Sequence, residues 1–298
     1  MSYLSFEELY TELQDVTIDT NSATLTKLKR WLNIGIHKCY AKIPSEYFMT
    51  TSTDLTVASK SSYPLPADCA KLHTVTTTVD NRDYVAIEYP RSENSWIALL
   101  GGTTPTTSTY PQYFFPKNNT VEIYPPSTAD DNLITYKYTK AQKDLTADDH
   151  TTESIKTLAN TGTAVTGNTG TLFTTSMIGR RFRIDANLQW YEINSYTSAT
   201  VIGLAREYQG TAISAGTASY TIGEVSLLPE NNQHAPINYS LWKYYLMKKN
   251  IPLAREYKIA FEQDLGDLKS YSGNLTTSAV ISEDIHIVNP NDYPTNLS

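Results

Sequence analysis

Residues 22–43 read SATLTKLKRWLNIGIHKCYAKI and run into Pro44. Leu25, Leu28, Leu32, Ile36, Cys39 and Ile43 recur at intervals of three or four, which lays them in one stripe along a helix. Pro44 stops that helix, because its ring removes a backbone donor and clashes with the preceding turn. A stripe of this kind needs a partner, since one amphipathic helix pair cannot bury its own face. Just upstream, residues 5–16 predict a shorter helix, opened by a capping box of Ser5 and Glu8 and lined by Leu9, Leu13 and Val16. The same period returns only at the far end of the chain. Ile237, Leu241, Tyr244, Tyr245 and Met247 line residues 237–249, and Ala254, Tyr257, Phe261, Leu265 and Leu268 line residues 252–271. Pro252 suits the first helical position and Gly273 suits a stop. The simplest solution packs the first pair of helices on the last pair and makes everything between them an insertion.

That middle stretch reads as β. TVTTTV at 74–79, YVAI at 84–87, TVEIY at 120–124 and LITYKY at 133–138 alternate or are β-branched. Tyr63-Pro64-Leu65-Pro66 and Pro125-Pro126 punctuate them, and 94–100 predicts a helical turn. A second β unit has turns at Gly162, Gly167, Gly170 and Gly179 and strands at 181–184, 189–193, 200–204 and 220–222. The expected fold class is α+β. Residues 1–45 and 231–273 form a helical bundle, 46–150 an antiparallel β-sandwich, 151–230 a small β-barrel or sandwich, and 274–298 an extended arm.

The last stretch has no Lys or Arg, carries Glu283, Asp284 and Asp292, and gathers Val280, Ile281, Ile285, Ile287 and Val288. It cannot form a core by itself. Ile285 and Ile287 alternate as an added strand does. Either the terminus is free or it orders on a partner; five aliphatics are costly to leave in water, which favours the partner.

Composition narrows function. The 298 residues are 40% hydrophobic and only 18% charged, with 22 Tyr and a net charge of −7. Tyr and Thr favour strands with a wet face, and Tyr suits semi-polar interfaces. An acidic chain is not built to grip DNA by neutralising phosphates. The start lacks the basic and apolar regions of a signal peptide, and no run of eighteen apolar residues exists, so the expectation is a soluble protein made in the cytoplasm with no membrane partner. Cys39 lies on the helix stripe and Cys69 follows a Pro-rich turn; their spacing is not that of a metal site, and whether they pair is left open.

No catalytic, cofactor-binding or metal-ligating residue is assigned, and an enzyme is not expected. His37, His73, His150, His234 and His286 are scattered, with none at i, i+4. Asp148-Asp149-His150 reads as a solvated acidic loop. Ala212–Gly216 lacks the first glycine of a nucleophile elbow. Phosphate-binding and dinucleotide fingerprints are absent. The outer face of the second helix carries Lys27, Lys29, Arg30, Lys38 and Lys42, either a solvated face or a match to an acidic strip on a neighbouring copy, such as Glu7, Glu8, Glu12 and Asp15. In Arg180-Arg181-Phe182-Arg183, Arg181 and Arg183 share a strand face while Phe182 and Ile184 point inward. That face is either solvated or makes a contact. Lys27, Arg30, Lys38, Arg181 and Arg183 are therefore candidates for contacts between subunits or with a lumen.

The layout resembles the head-to-tail adaptor, or connector, proteins of tailed bacteriophages, including the tail tubular A type of short-tailed phages. The resemblance is carried by Leu28-Lys29-Arg30-Trp31-Leu32-Asn33-Ile34-Gly35-Ile36 leading to Ile43-Pro44, by Tyr63-Pro64-Leu65-Pro66-Ala67-Asp68, by Ile123-Tyr124-Pro125-Pro126 before a Tyr-rich strand, and by Leu228-Pro229 before the closing helices. It implies a structural virion protein of the neck. About twelve copies would form a ring beneath the portal. The arm with Val280, Ile281, Ile285, Ile287 and Val288 would dock into the portal, the β parts would meet a tail or nozzle protein, and DNA would pass through an acidic lumen without being held. No cofactor is implied. The competing reading is a tail-associated carbohydrate- or receptor-binding module, with exposed Trp190 or Trp96 as stacking platforms.

Overall fold

A computed structural model describes residues 3–89, 93–101, 108–214 and 216–278. Within them the chain is mixed α+β, with five helices and two curled sheets.

Helix α1 spans Phe6–Thr17 and α2 spans Ser22–Tyr40. Helix α4 spans His234–Met247 and α5 spans Ile251–Ser278. All four contribute to one buried cluster, with Leu9 and Leu13 from α1, Leu28, Leu32 and Ile36 from α2, Ile237 and Leu241 from α4, and Phe261 and Leu268 from α5. Each fully buried Leu or Ile contributes roughly 1.5–3 kcal/mol, which is ample to hold the two ends of the chain together. The approach of α2 to α4 is set by Gly35. A Cβ built there would lie 3.0 Å from Pro236 Cα and 3.2 Å from Tyr239 Cβ.

Three details differ from the helical pattern in the sequence. The buried face of α1 is Phe6, Leu9, Tyr10 and Leu13, while Val16 is exposed. Tyr10 extends the stripe sideways, so it turns away from Val16. Helix α2 ends at Tyr40, and Ile43 reaches the core from the turn that follows. Gly273 does not end α5, which continues to Ser278; a single interior glycine costs about 1 kcal/mol, too little to end a helix without a further stop signal. Residues 274–278 therefore belong to a helix and not to an extended arm, and Val280, Ile281, Ile285, Ile287 and Val288 lie outside the described residues.

The first sheet contains β1 (Met49–Leu55), β2 (Ser62–Pro64), β3 (Cys69–Val79), β4 (Arg82–Glu88), β5 (Tyr113–Lys117), β6 (Thr120–Tyr124) and β7 (Leu133–Lys140). Its order is β1-β7-β3-β4-β5-β6-β2, one continuous sheet where two facing sheets were expected. It is not purely antiparallel, because β4 and β5 pair in parallel through Ile87–Tyr113. Helix α3 (Glu93–Gly101) lies between those two strands in sequence, as a parallel connection requires. Alternation sends Tyr63, Val75, Phe114, Val121, Ile123, Ile134 and Tyr136 to one inner cluster.

The second sheet contains β8 (Ile155–Leu158), β9 (Ala164–Gly167), β10 (Arg181–Ile184), β11 (Trp190–Ser198), β12 (Val201–Leu204) and β13 (Tyr220–Gly223), in the order β13-β10-β11-β12-β9-β8. Isolated bridges Ile155–Ala218 and Leu158–Ile213 tie the segment leading into β13 to β8, so the sheet curls until its two ends meet. Its interior holds Phe182, Tyr191, Ile193, Ile202, Tyr220 and Ile222. Cys39 is buried, Cys69 is half-buried, and both are free thiols. Burial pushes the Cys39 thiol up to about 12. Among the described residues no helix is long and apolar enough to cross a membrane.

Candidate interaction surfaces and the junction that positions them

Residues 141–150 leave the first sheet, cross α2 and reach the second sheet. Asn33 on α2 holds this strap at both backbone groups of Leu145, donating from Nδ2 to the carbonyl at 2.9 Å and accepting from the N–H at 2.9 Å. Tyr40 Oη donates to Lys140 O at 2.7 Å, His37 Nε2 meets Asp144 at 2.7 Å, and Lys29 Nζ meets Asp148 at 2.7 Å. The Lys29 ammonium also sits 3.9 Å from the centre of the Tyr10 ring. Contact with Lys29, then Tyr10, holds the Asp148 carboxyl below the usual carboxylate range.

The chain start is sewn into the same junction. Phe6 N–H donates to Glu224 O at 2.8 Å, Leu4 N–H to Gln233 Oε1 at 2.6 Å, and Trp190 Nε1–H to Tyr3 O at 2.8 Å. The capping box expected from sequence is present: Glu8 N–H donates to Ser5 Oγ and Ser5 N–H to Glu8 Oε2. Glu8 also takes Arg183 Nη2 at 2.7 Å, so one carboxylate caps α1 and pins it to β10. Ser5 Oγ donates to Asp149 Oδ2 at 2.5 Å, and the other Asp149 oxygen is buried with no hydrogen-bond partner among the described residues. Burial first, and Glu7 and Glu8 after it, raise the Asp149 carboxyl to about 6, against opposing contributions from Ser5 and Arg180. Gly223 makes this approach possible, since a Cβ there would fall 2.6 Å from Asp149 Oδ1. Asp148-Asp149-His150 is thus a joint; His150 Nε2–H donates to Thr171 O at 2.5 Å.

The five residues expected at contacts divide into two groups. Lys27, Arg30 and Lys38 lie exposed on α2. Arg181 and Arg183 face their own chain. Arg183 is 7% exposed, paired with Glu8 and placed 4.4 Å from the Trp190 ring, while Arg181 is half-buried near Tyr3. Phe182 and Ile184 point into the core as expected. The strand face that carries the arginines is covered because the chain start and α1 lie over it, a long-range contact that strand alternation does not reveal. The acids of α1 are also largely used within the protomer: Glu7 accepts from Asp149 N–H, Glu8 from Arg183, and Glu12 lies 3.9 Å from His234.

Besides Lys27 and Arg30, two surfaces stand out as open among the described residues. The outer face of the first sheet presents Thr51, Thr53 and Leu55, then Leu133, Thr135 and Lys137, then Val85 and Ile87, which are 63% and 64% exposed. The other gathers Lys38, Lys243 and Lys258 around Tyr239 and Trp242, bringing α2 from the start of the sequence to the consecutive helices α4 and α5. Sequence reading found Lys38 alone; the cue for the rest was Trp242-Lys243 on a helix whose own apolar face is broad. Trp190 and Trp96 are 4% and 0% exposed, and Trp96 Nε1–H donates to Glu122, so neither offers a ring to a sugar. Among the described residues no three His, Cys, Asp or Glu side chains are grouped as metal ligands.

No curated protein matches the chain. A family model described as SU10 adaptor protein matches residues 4–161, which takes in α1, α2, the whole first sheet and β8. The match supports an adaptor and lends no support to the tail tubular A type. Spanning more than half of the sequence, it shows that the chain belongs to the SU10 adaptor protein family, a family of phage head-tail adaptors.

Proposed function

We propose that the protein is a structural component of the virion neck that assembles as a ring between the portal and the tail and leaves a channel for DNA. The observation that carries this reading is the family match over residues 4–161. The architecture agrees with it: four helices from both chain ends share one core, and the described pockets are polar clefts at the junction between elements. A net charge of −7 suits a lumen along which DNA slides without adhering. In this reading the helical part, the first sheet and the second sheet are three bodies of one protomer, and the segment with Val280, Ile281, Ile285, Ile287 and Val288 docks into the portal. Lys27, Arg30 and Lys38 then face neighbouring copies. Subunit contacts of this type bury on the order of 2,000 Å² or more, and repetition around a ring multiplies weak contacts.

The test is deletion of residues 279–298, which leaves α5 intact. The shortened protein is expected to fold, as judged by an unchanged circular dichroism spectrum, and to lose co-sedimentation with portal-bearing heads. Retained attachment to heads contradicts the portal-docking role.

A further inference from the structure

Lys38 of α2, Lys243 of α4 and Lys258 of α5 converge on one pair of rings. Lys38 Nζ lies 5.7 Å and Lys243 Nζ 5.3 Å from the centre of Tyr239; Lys243 Nζ lies 3.8 Å and Lys258 Nζ 5.8 Å from Trp242. The two rings meet edge to face at 5.5 Å. Lys258 has a helical neighbour in Glu262 at 3.4 Å, whereas no ion pair of Lys38 or Lys243 is found among the described residues. The Lys243 ammonium is held below the ordinary lysine range by burial and then by Lys38 and Lys258. Several other cations of this acidic chain are each matched by a carboxylate: Lys29 by Asp148, Lys117 by Glu93, Lys140 by Glu192, Arg183 by Glu8 and Lys248 by Asp19. Three like charges gathered on one patch repel each other, and an anion relieves that repulsion. The same helix pair exposes Leu246, Ile251 and Ile259, so an occupant with apolar side chains also gains.

Residues 280–288, VISEDIHIV, have matching chemistry, placing Glu283 and Asp284 among aliphatics with no Lys or Arg; the comparable acids of α1 are largely used within the protomer. We propose that the Lys38–Lys243–Lys258 patch takes this acidic, aliphatic segment from a second copy of the chain. Its own copy reaches Lys258 only with the linking residues and both side chains fully stretched. Lys258 and Ser278 lie on one helix, about 30 Å apart at about 1.5 Å per residue. Glu283 and Asp284 follow Ser278 by five and six residues, which span at most about 20 Å when fully extended. A second copy supplies the segment without that stretch, and each segment occupies either this patch or another docking site at one time. This contact goes beyond the neck assignment and concerns the protein free of the portal, where the segment has no portal to meet.

Sedimentation velocity of the full chain without portal tests this. Wild-type protein is expected to self-associate in low salt and to dissociate as salt rises. Substituting Lys38→Gln, Lys243→Gln and Lys258→Gln together, or Glu283→Gln with Asp284→Asn, is expected to weaken association about tenfold. A chain with the three lysines changed to Glu and a chain with Glu283→Lys and Asp284→Lys are each expected to stay monomeric alone and to associate when mixed. A wild-type chain that is monomeric in low salt, or a charge-swapped mixture that does not associate, overturns the proposal. So does duplex DNA binding that needs the three lysines while the Glu283 and Asp284 variant self-associates like wild type, which assigns the patch to nucleic acid. Attachment of the lysine variants to heads is scored separately, because they keep the segment proposed to meet the portal.

Discussion

Changing Gly35 to Ala and Gly266 to Ala makes the same chemical change at two helical positions, and the structure gives the two opposite signs. In an open helix position, Gly→Ala gains about 0.5–1 kcal/mol, because alanine loses less backbone freedom on folding. Gly266 is such a position, with nothing within 4 Å of a Cβ built there. At Gly35 the added carbon would lie 3.0 Å from Pro236 Cα, 3.2 Å from Pro236 O and 3.2 Å from Tyr239 Cβ. Two of those atoms are backbone in the first turn of α4 and cannot swing aside, so α2 and α4 must separate. Overpacking of this kind costs about 1–3 kcal/mol, which outweighs the helical gain and leaves a net loss of about 1 kcal/mol. The two variants should thus differ by about 2 kcal/mol, and Gly35→Leu should lose more than about 3 kcal/mol. Urea unfolding followed by helical circular dichroism measures both. If Gly35→Ala stabilises as much as Gly266→Ala, helix α2 does not lie against α4, and the closing of the chain's two ends on each other is refuted.

Further outcomes concern the junction. The Asp149 carboxyl is raised to about 6 from its ordinary 3.8, so its contribution to stability is full below the lower value and is lost as pH rises through the upper one. Asp149→Asn should flatten the stability profile across that window and, after allowance for solvent screening, add about 1–2 kcal/mol at neutral pH; urea midpoints across a pH series decide it. Glu8→Gln keeps a capping side chain but removes the charge facing buried Arg183, and should cost about 1–2 kcal/mol. Glu8→Ala loses the capping box as well and should cost about 3 kcal/mol by the same assay. Asn33→Ala strands both backbone groups of Leu145, which is 6% exposed, and should cost about 2 kcal/mol with faster amide exchange across residues 141–150.

Periodic features were legible in the sequence. The stripe Leu28, Leu32, Ile36, Cys39 is fully buried, the capping box of Ser5 and Glu8 is made, and strands β3, β4, β6, β7, β10, β11, β12 and β13 fall on the runs that alternate or are β-branched. Such signals are local, set by a period of 3.6 or 2 along the chain. What escaped is set by contacts remote in sequence. Strand β5, Tyr113–Lys117, contains Pro116 and gains its place from β6 and from a parallel pairing with β4. Strand β1 reads MTTSTDL, with no apolar alternation, and is held by β7 along its length. Arg183 looked like half of an exposed basic face because nothing nearby in sequence announces that Glu8 and Trp190 cover it. Lys38 was visible as a surface cation, but its gathering with Lys243 and Lys258 exists only once α2, α4 and α5 are packed.

Electron microscopy of the purified full chain mixed with its portal puts the neck role to the plainest test. The expected images show portal rings capped on one face by a second ring with an open centre, and bare portals when residues 279–298 are removed. Portals that remain bare in the presence of the full chain contradict an adaptor that docks on the portal.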